Sequence, residues 1–110
     1  MRLRISVAGV VAIGPGKVAL LEAVHRHGSI TAAARSLDMS YRRAWLLLDE
    51  LNRSLRRPAI VTAQGGSHGG GASLTPTGQA VIENYRTAER KALAAGRPQL
   101  ARLLRLMAAR

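Results

Sequence analysis

The chain has 110 residues, of which 47% are hydrophobic, so its length and composition allow one packed domain. Its 17 Lys and Arg residues outnumber its 6 Asp and Glu residues, and the formal net charge of +11 predicts a polyanionic partner, with nucleic acid favoured over a membrane surface. Cysteine is absent, which excludes disulfides, cysteine-ligated zinc and a thiol nucleophile and is typical of a cytoplasmic protein.

The first segment, residues 2–12, is predicted to be an edge strand interrupted at Gly9. Charged and apolar residues alternate from Arg2 to Ile5, which is a strand pattern. A short signal peptide is the alternative, but the stretch is rich in Val and Ile and not in Leu. No apolar segment reaches the roughly 20 residues that a membrane-spanning helix requires.

Two helices are predicted next. Pro15 suits the first turn of a helix, and Gly28 is predicted to end that helix as a left-handed C-cap. Ser29 is predicted to cap a second, shorter helix whose small alanines allow close packing. The expected buried residues are Val18, Leu20, Leu21 and Val24 in the first helix and Ile30, Ala33, Ala34 and Leu37 in the second.

A third helix is predicted from Ser40, its cap, to about Leu55. Arg42 and Arg43 lie in its first turn, where the helix dipole disfavours cations. These arginines add nothing to helix stability, but they would suit a helix whose N-terminus enters the major groove of DNA. A solvated basic turn is the alternative. The expected core residues are Ala44, Leu47, Leu48, Leu51 and Leu55, and Trp45 is also expected to pack against the core.

Residues 59–62 and 72–75 are predicted to form a strand hairpin around a glycine run at 65–71. Thr75 and Pro76 then begin a predicted helix that ends near residue 95, before Gly96. We predict a final helix from Pro98 and divide the chain into residues 1–95, a DNA-binding domain, and 96–110, a basic amphipathic dimerisation helix. The predicted dimer contacts are Val81, Tyr85, Leu100, Leu103, Leu104 and Met107, although the last four could instead close the core of their own subunit.

A helix, a tight turn and a second helix followed by a glycine-rich hairpin predict a mostly α fold with a small β-hairpin wing, a winged helix-turn-helix. Such a loop can bring backbone N–H groups close to phosphates, and its side chains can enter the minor groove. The predicted wing contacts are Gln64, Gly65, Gly66, Ser67, His68 and Gly69.

No catalytic or metal-binding constellation is predicted, so the chain is not expected to be an enzyme. Residues 65–69 match G-x-S-x-G, but a strand follows where a serine hydrolase needs a helix. The 14–17 turn lacks the Ser or Thr that follows the lysine of a phosphate-binding loop. His25 and His27 are two residues apart and point to different faces of a helix.

Five segments together resemble the N-terminal winged-helix domain of the ModE family of molybdate-responsive transcriptional regulators and, more distantly, the LysR-type DNA-binding domain. They are residues 28–31, 39–45, 49–52, the 65–71 run and 74–78, and their order and spacing are kept over about residues 15–90. The resemblance implies a recognition helix at 40–52. It implies that Ser40, Tyr41, Arg42 and Arg43 read the operator and that Ser29 and Thr31 contact phosphates. Asn52, at the end of that helix, and Arg53, which follows it, are also predicted to contact DNA.

The resemblance also implies a homodimer that binds a two-fold-related site on double-stranded DNA in the cytoplasm, at the nucleoid. Full-length family members append domains that bind molybdate, and a chain of 110 residues is too short to hold such a domain as well. No cofactor is therefore expected, and molybdate would act only through a separate effector-sensing protein. The alternative is a non-specific nucleoid-associated or RNA-binding protein, because the net charge would serve that function equally well.

Overall fold

The computed structural model describes residues 3–7, 9–63 and 71–108. Its elements in chain order are β1 (Ile5–Val7), β2 (Val10–Ile13), α1 (Pro15–His27), α2 (Ile30–Ser36), α3 (Tyr41–Ser54), β3 (Ile60–Thr62), β4 (Ala72–Leu74) and α4 (Pro76–Leu106). The predicted fold class, mostly helical with a small β-hairpin, is confirmed.

The N-terminal segment corrects one prediction, because it is a hairpin and not a single interrupted strand. β1 pairs antiparallel with β2, with Ile5 opposite Ile13 and an irregularity between Ile5 and Ser6. The hydroxyl of Tyr85 on α4 donates a hydrogen bond to the carbonyl of Leu3, just before β1. The hairpin is therefore attached to the surface of α4.

The first three helices surround the hydrophobic core. Gly28 adopts φ 77°, and its N–H donates to the Val24 carbonyl at 2.8 Å, which ends α1 in the predicted left-handed cap. Ala33 and Ala34 of α2 and Ala44 of α3 are almost completely buried, and their small side chains allow the helices to approach closely. The largest fully buried side chains are Leu20, Leu21, Leu51, Val18 and Val24.

The second hairpin, β3–β4, follows α3 as predicted. Ile60 lies opposite Leu74 and Thr62 opposite Ala72 in an antiparallel register. The N–H of Ala72 donates to the Gly28 carbonyl at 2.9 Å, so the base of this hairpin is joined to the end of α1. Residues 64–70, which include all six predicted wing contacts, lie outside the described residues.

α4 corrects the prediction of two C-terminal helices, because it is one helix of 31 residues that continues through Gly96 and Pro98. Proline has no N–H, so at position 98 only the Ala94 carbonyl loses its helical donor. Ala94 and Pro98 are both exposed, and water can satisfy that carbonyl. The chain is 58 Å in its longest dimension.

None of the helices among the described residues is both long enough and apolar enough to cross a bilayer.

Candidate nucleic-acid interface

α2 and α3 form a helix-turn-helix through a turn at residues 37–40. The N–H of Met39 donates to the Ala34 carbonyl at 3.0 Å, and the N–H of Asp38 donates to the Arg35 carbonyl at 3.2 Å. Asp38 adopts φ 56°, and it is the one non-glycine residue with positive φ in the described part of the chain. This left-handed residue lets the chain reverse within a few positions and begin α3 against α2.

The start of α3 has the predicted geometry. The Ser40 hydroxyl oxygen accepts a hydrogen bond from the Arg43 N–H at 3.1 Å, which is an N-cap. No acidic residue lies in the first turn of α3, and the side chains of Arg42 and Arg43 are exposed there. Two cations at the positive end of the helix dipole are unfavourable for folding and available to an anionic ligand.

The structure brings three predicted contact residues together. Thr31 on α2, Ser40 and Tyr41 line one open cavity of about 430 Å³, which also borders Arg35. All four are exposed. Ser29 lies at the N-terminus of α2, where its hydroxyl oxygen already accepts from the Ala32 N–H at 3.1 Å. Its first role is therefore the helix cap that was predicted for it.

Asn52 is a correction, because its side chain serves the fold and is not free to contact DNA. The Ala59 N–H donates to Oδ1 of Asn52 at 2.8 Å, and Nδ2 of Asn52 donates to the Ile60 carbonyl at 3.3 Å. Asn52 thus joins α3 to the start of β3. The cause is the sharp return of the chain after α3, which leaves the backbone at residues 59–60 facing the helix.

Arg53 remains on the solvent side of α3. Its guanidinium forms an i,i+4 ion pair with Asp49, with Nε 2.9 Å from Oδ2, and 78% of its side chain is exposed. An exposed pair of this type contributes little to stability.

Trp45 is a second correction, since it does not pack into the core. Its side chain is 44% exposed, next to Tyr41 and Leu46, which are also exposed. The buried positions of α3 are Ala44, Leu48 and Leu51, and Trp45 follows Ala44 by one residue, about 100° further around the helix. Core spacing in the sequence could have identified this residue as outward-facing.

Sequence reasoning also missed a contact between α1 and α3 that involves a buried lysine. The ammonium of Lys17 on α1 lies 3.2 Å from Oε2 of Glu50 on α3 and donates to the Ala12 carbonyl at 3.4 Å. Lys17 is 7% exposed. Lys17 precedes Leu20, Leu21 and Val24 by three, four and seven positions, so its place on the apolar stripe was the signal.

One predicted dimer residue, Tyr85, is buried inside its own subunit, which is a correction. Tyr85 is 3% exposed and bonds to Leu3, and Val81 is half-buried against the core. They lie on the half of α4 that packs on the rest of the domain. Leu103, Leu104 and Met107 are 57%, 69% and 70% exposed, whereas Leu100 is half-buried.

In the described part of the chain, no three His, Cys, Asp or Glu side chains come close enough together to hold a metal ion. His25 and His27 are both exposed, in the last turn of α1.

Comparison with known proteins shows which family shares this sequence and fold. The family description "Bacterial regulatory helix-turn-helix protein, lysR family" matches residues 16–79, from the second residue of α1 through β4 to the start of α4. The molybdenum-pterin-binding protein MopB of Rhodobacter capsulatus is 46% identical over 77 residues, covering 70% of this chain and 28% of MopB. The DNA-binding transcriptional dual regulator ModE of Escherichia coli K12 is 37% identical over 71 residues, covering 64% of this chain and 27% of ModE.

The chain thus spans less than a third of the length of these relatives. A solved structure titled as the complex of the CbnR DNA-binding domain with DNA superposes with a TM-score of 0.60 at 23% identity. The match covers 80% of this chain and 95% of that one, and it shows a common fold. The resemblance to ModE-type and LysR-type domains is confirmed, and the chain belongs to the lysR family of bacterial regulatory helix-turn-helix proteins.

Proposed function

We propose that this chain binds a specific double-stranded DNA sequence, as one half of a homodimer on a two-fold-related site, and thereby regulates transcription in the cytoplasm, at the nucleoid. The observation that carries the proposal is the start of α3, where Arg42 and Arg43 are exposed at a capped helix N-terminus. Arginines at this end of a recognition helix can bind guanine edges and phosphates.

Three further observations support the proposal. The net charge of +11 favours a polyanion. The exposed Thr31, Ser40 and Tyr41 border one cavity, whose charged lining residues are Arg35 and Asp38. The E. coli relative is named a DNA-binding transcriptional regulator. That name describes a protein more than three times as long as the matched segment. We therefore infer for this chain only the DNA-binding function of the shared domain.

Competition binding tests the proposal. A duplex selected from a random library should outcompete scrambled duplex by on the order of a thousandfold, and affinity should fall steeply with salt. Equal affinity for selected and scrambled DNA would instead favour a non-specific nucleoid-associated or RNA-binding protein.

Arg43→Ala refines the same test. It should weaken discrimination at one base position by about 1–3 kcal/mol while thermal stability stays constant or rises, because an unfavourable charge leaves the helix N-terminus. Arg90→Ala, which removes an exposed arginine from α4, is the matched control and should leave base preference unchanged. A variant at position 43 that loses stability but keeps its base preference would show that Arg43 is structural.

We further propose that molybdate does not bind this chain and that any molybdate signal reaches it through a separate effector-sensing protein. The molybdenum in the name MopB belongs to a protein of which only 28% matches here. Molybdate should therefore leave the melting temperature and DNA affinity unchanged, with sulfate as the control. A saturable rise in melting temperature with molybdate alone would contradict this, because a ligand that binds the folded state stabilises it.

A further inference from the structure

The outward surface of α3 carries an apolar patch beside its arginines. Tyr41 is 54%, Trp45 44% and Leu46 43% exposed. Together with Arg42 they line an open cavity of about 390 Å³. We name this set, Tyr41, Trp45 and Leu46, the α3 apolar patch.

The composition makes this patch unusual for a solvated helix. The chain has three aromatic residues, and two of them lie within five positions on α3. The third, Tyr85, is buried as expected for a large side chain. Exposing two aromatic rings and a leucine on one helix contributes nothing to folding, whereas a contiguous exposed apolar surface is typical of a binding site.

The charges around the patch favour DNA as its occupant. Arg42 is part of the cavity itself, and Arg43 is exposed one residue further on. The acidic residues of α3 do not oppose a polyanion strongly, because Asp49 pairs with Arg53 at 2.9 Å and Glu50 pairs with Lys17 at 3.2 Å.

The major groove offers one apolar group, the 5-methyl group of thymine. Resting on the proposed DNA-binding function, we infer that the α3 apolar patch reads thymine methyl groups, with Trp45 and Leu46 as specificity-determining residues. The arginines then supply guanine and phosphate contacts, and the patch supplies preference for thymine at neighbouring positions.

The test replaces thymine with deoxyuridine, one position at a time, in the duplex selected by the wild-type chain. This removes the methyl group and leaves base pairing intact. Burial of one methyl group contributes about 0.8 kcal/mol, so at one or two positions in each half-site the affinity should fall about fourfold. This measurement requires no variant and is unaffected by folding.

Variants then locate the contact. Trp45→Ala and Leu46→Ala should each lower the affinity for the thymine duplex at least about fourfold. Replacing thymine with deoxyuridine at the affected position should then cause no further loss of affinity in these variants. Arg43→Ala should lower the affinity for the duplex, but replacing thymine with deoxyuridine should still lower its affinity further by the same factor as in the wild type. Ile5→Ala, which removes a similarly exposed apolar side chain from β1, should change neither quantity.

The failures are distinct. If no sequence is selected over random DNA, the proposed function fails, and this inference with it. If a sequence is selected but deoxyuridine has no effect at any position, or the penalty persists in both patch variants, the inference alone is overturned. It is also overturned if both variants bind the selected duplex as tightly as the wild type, in which case the patch serves a protein partner.

Discussion

The two halves of α4 share one helix and similar apolar spacing but have opposite environments. In the first half, Gly78 and Tyr85 are buried, and Val81 and Ile82 pack against the core. In the second half, Leu103 and Leu104 are more than half exposed. Gly78 lies against the backbone of Ala59, just before β3, whereas Gly96 in the second half has open space around it.

This difference shows that apolar periodicity identifies a helix face that can be buried. It does not identify the surface against which that face packs. α4 meets α1 and β4 of its own subunit, and its two buried residues, Gly78 and Tyr85, both lie in the first half. An exposed stripe of this size is typical of an interaction surface. We therefore predict that any contact with a second copy is made by the second half of α4.

The largest effect is expected from Gly78→Ala. A Cβ at Gly78 would lie 2.1 Å from the Ala59 carbonyl oxygen, which is backbone and cannot move aside. We expect a loss of about 3 kcal/mol in the free energy of unfolding, measured by chemical denaturation.

Gly96→Ala is the matched control. A Cβ there meets no atom within 4 Å, so the substitution should stabilise the helix by about 0.5–1 kcal/mol. Similar effects of the two substitutions would show that the halves of α4 are in equivalent environments.

The next effect concerns assembly. Leu103→Glu combined with Leu104→Glu should give a soluble, folded monomer by light scattering, because both side chains are exposed in the subunit. Its DNA affinity should fall about a hundredfold, because a monomer would place one recognition helix on the site. A dimer would place two, in successive major grooves about 34 Å apart.

A wild-type chain that is monomeric at tens of micromolar, or a double variant that unfolds, would place these leucines outside a dimer interface.

A smaller effect is expected at the ion network that joins the first half of α4 to α1. The Arg86 guanidinium makes two hydrogen bonds to Glu22, at 2.6 and 3.1 Å, and one to Glu89 at 2.8 Å. These carboxylates raise the pKa of Arg86 above its ordinary value. Arg86→Met should cost about 1–2 kcal/mol of unfolding free energy, because it leaves two half-buried carboxylates without their partner.

Arg90→Met removes an exposed arginine from the next turn of the same helix and should cost less than about 0.5 kcal/mol. Equal losses at positions 86 and 90 would show that the network contributes nothing.

The smallest effect is the pH dependence of the Tyr85 contact. Burial and, next in size, the negative charge of Glu89 raise the pKa of the Tyr85 hydroxyl. The folded state therefore holds this proton more tightly than the unfolded state, and its contribution to stability is complete below about pH 10 and is lost as the pH rises further.

Tyr85→Phe should cost about 1 kcal/mol near pH 8, for the bond to Leu3, and this deficit should narrow above pH 10. Denaturation of both proteins at several pH values measures it, with titration of the other groups common to both. If the difference in unfolding free energy between the two proteins did not change with pH, the pKa of Tyr85 would be the same in the folded and unfolded states.

Much of the helix-turn-helix could be predicted because its signals are local. Ser29, Ser40 and Thr75 cap the helices that follow them, and Gly28 ends the helix before it, since each acts on backbone groups within three or four positions. The exposed arginines at the start of α3 follow from the same local geometry.

The residues that were misjudged depend on distant partners. Asn52 was expected to face DNA, but the chain returns after α3 and offers it the backbone of residues 59 and 60. Tyr85 was expected at a dimer interface, but a carbonyl 82 residues earlier accepts its hydroxyl. Pro98 was expected to begin a new helix, but α4 continues through it, with the exposed Ala94 carbonyl left without its helical donor.

The sequence by itself determined the order of the elements from α1 to β4, the helix caps, the winged helix-turn-helix arrangement and the positive charge that a nucleic acid would meet. These follow from contacts within one or two helical turns and from composition. Only the tertiary structure decided that apolar residues in the second half of α4, among them Leu103 and Leu104, are left exposed. Burial depends on which surfaces meet when distant segments pack, and no local spacing records that.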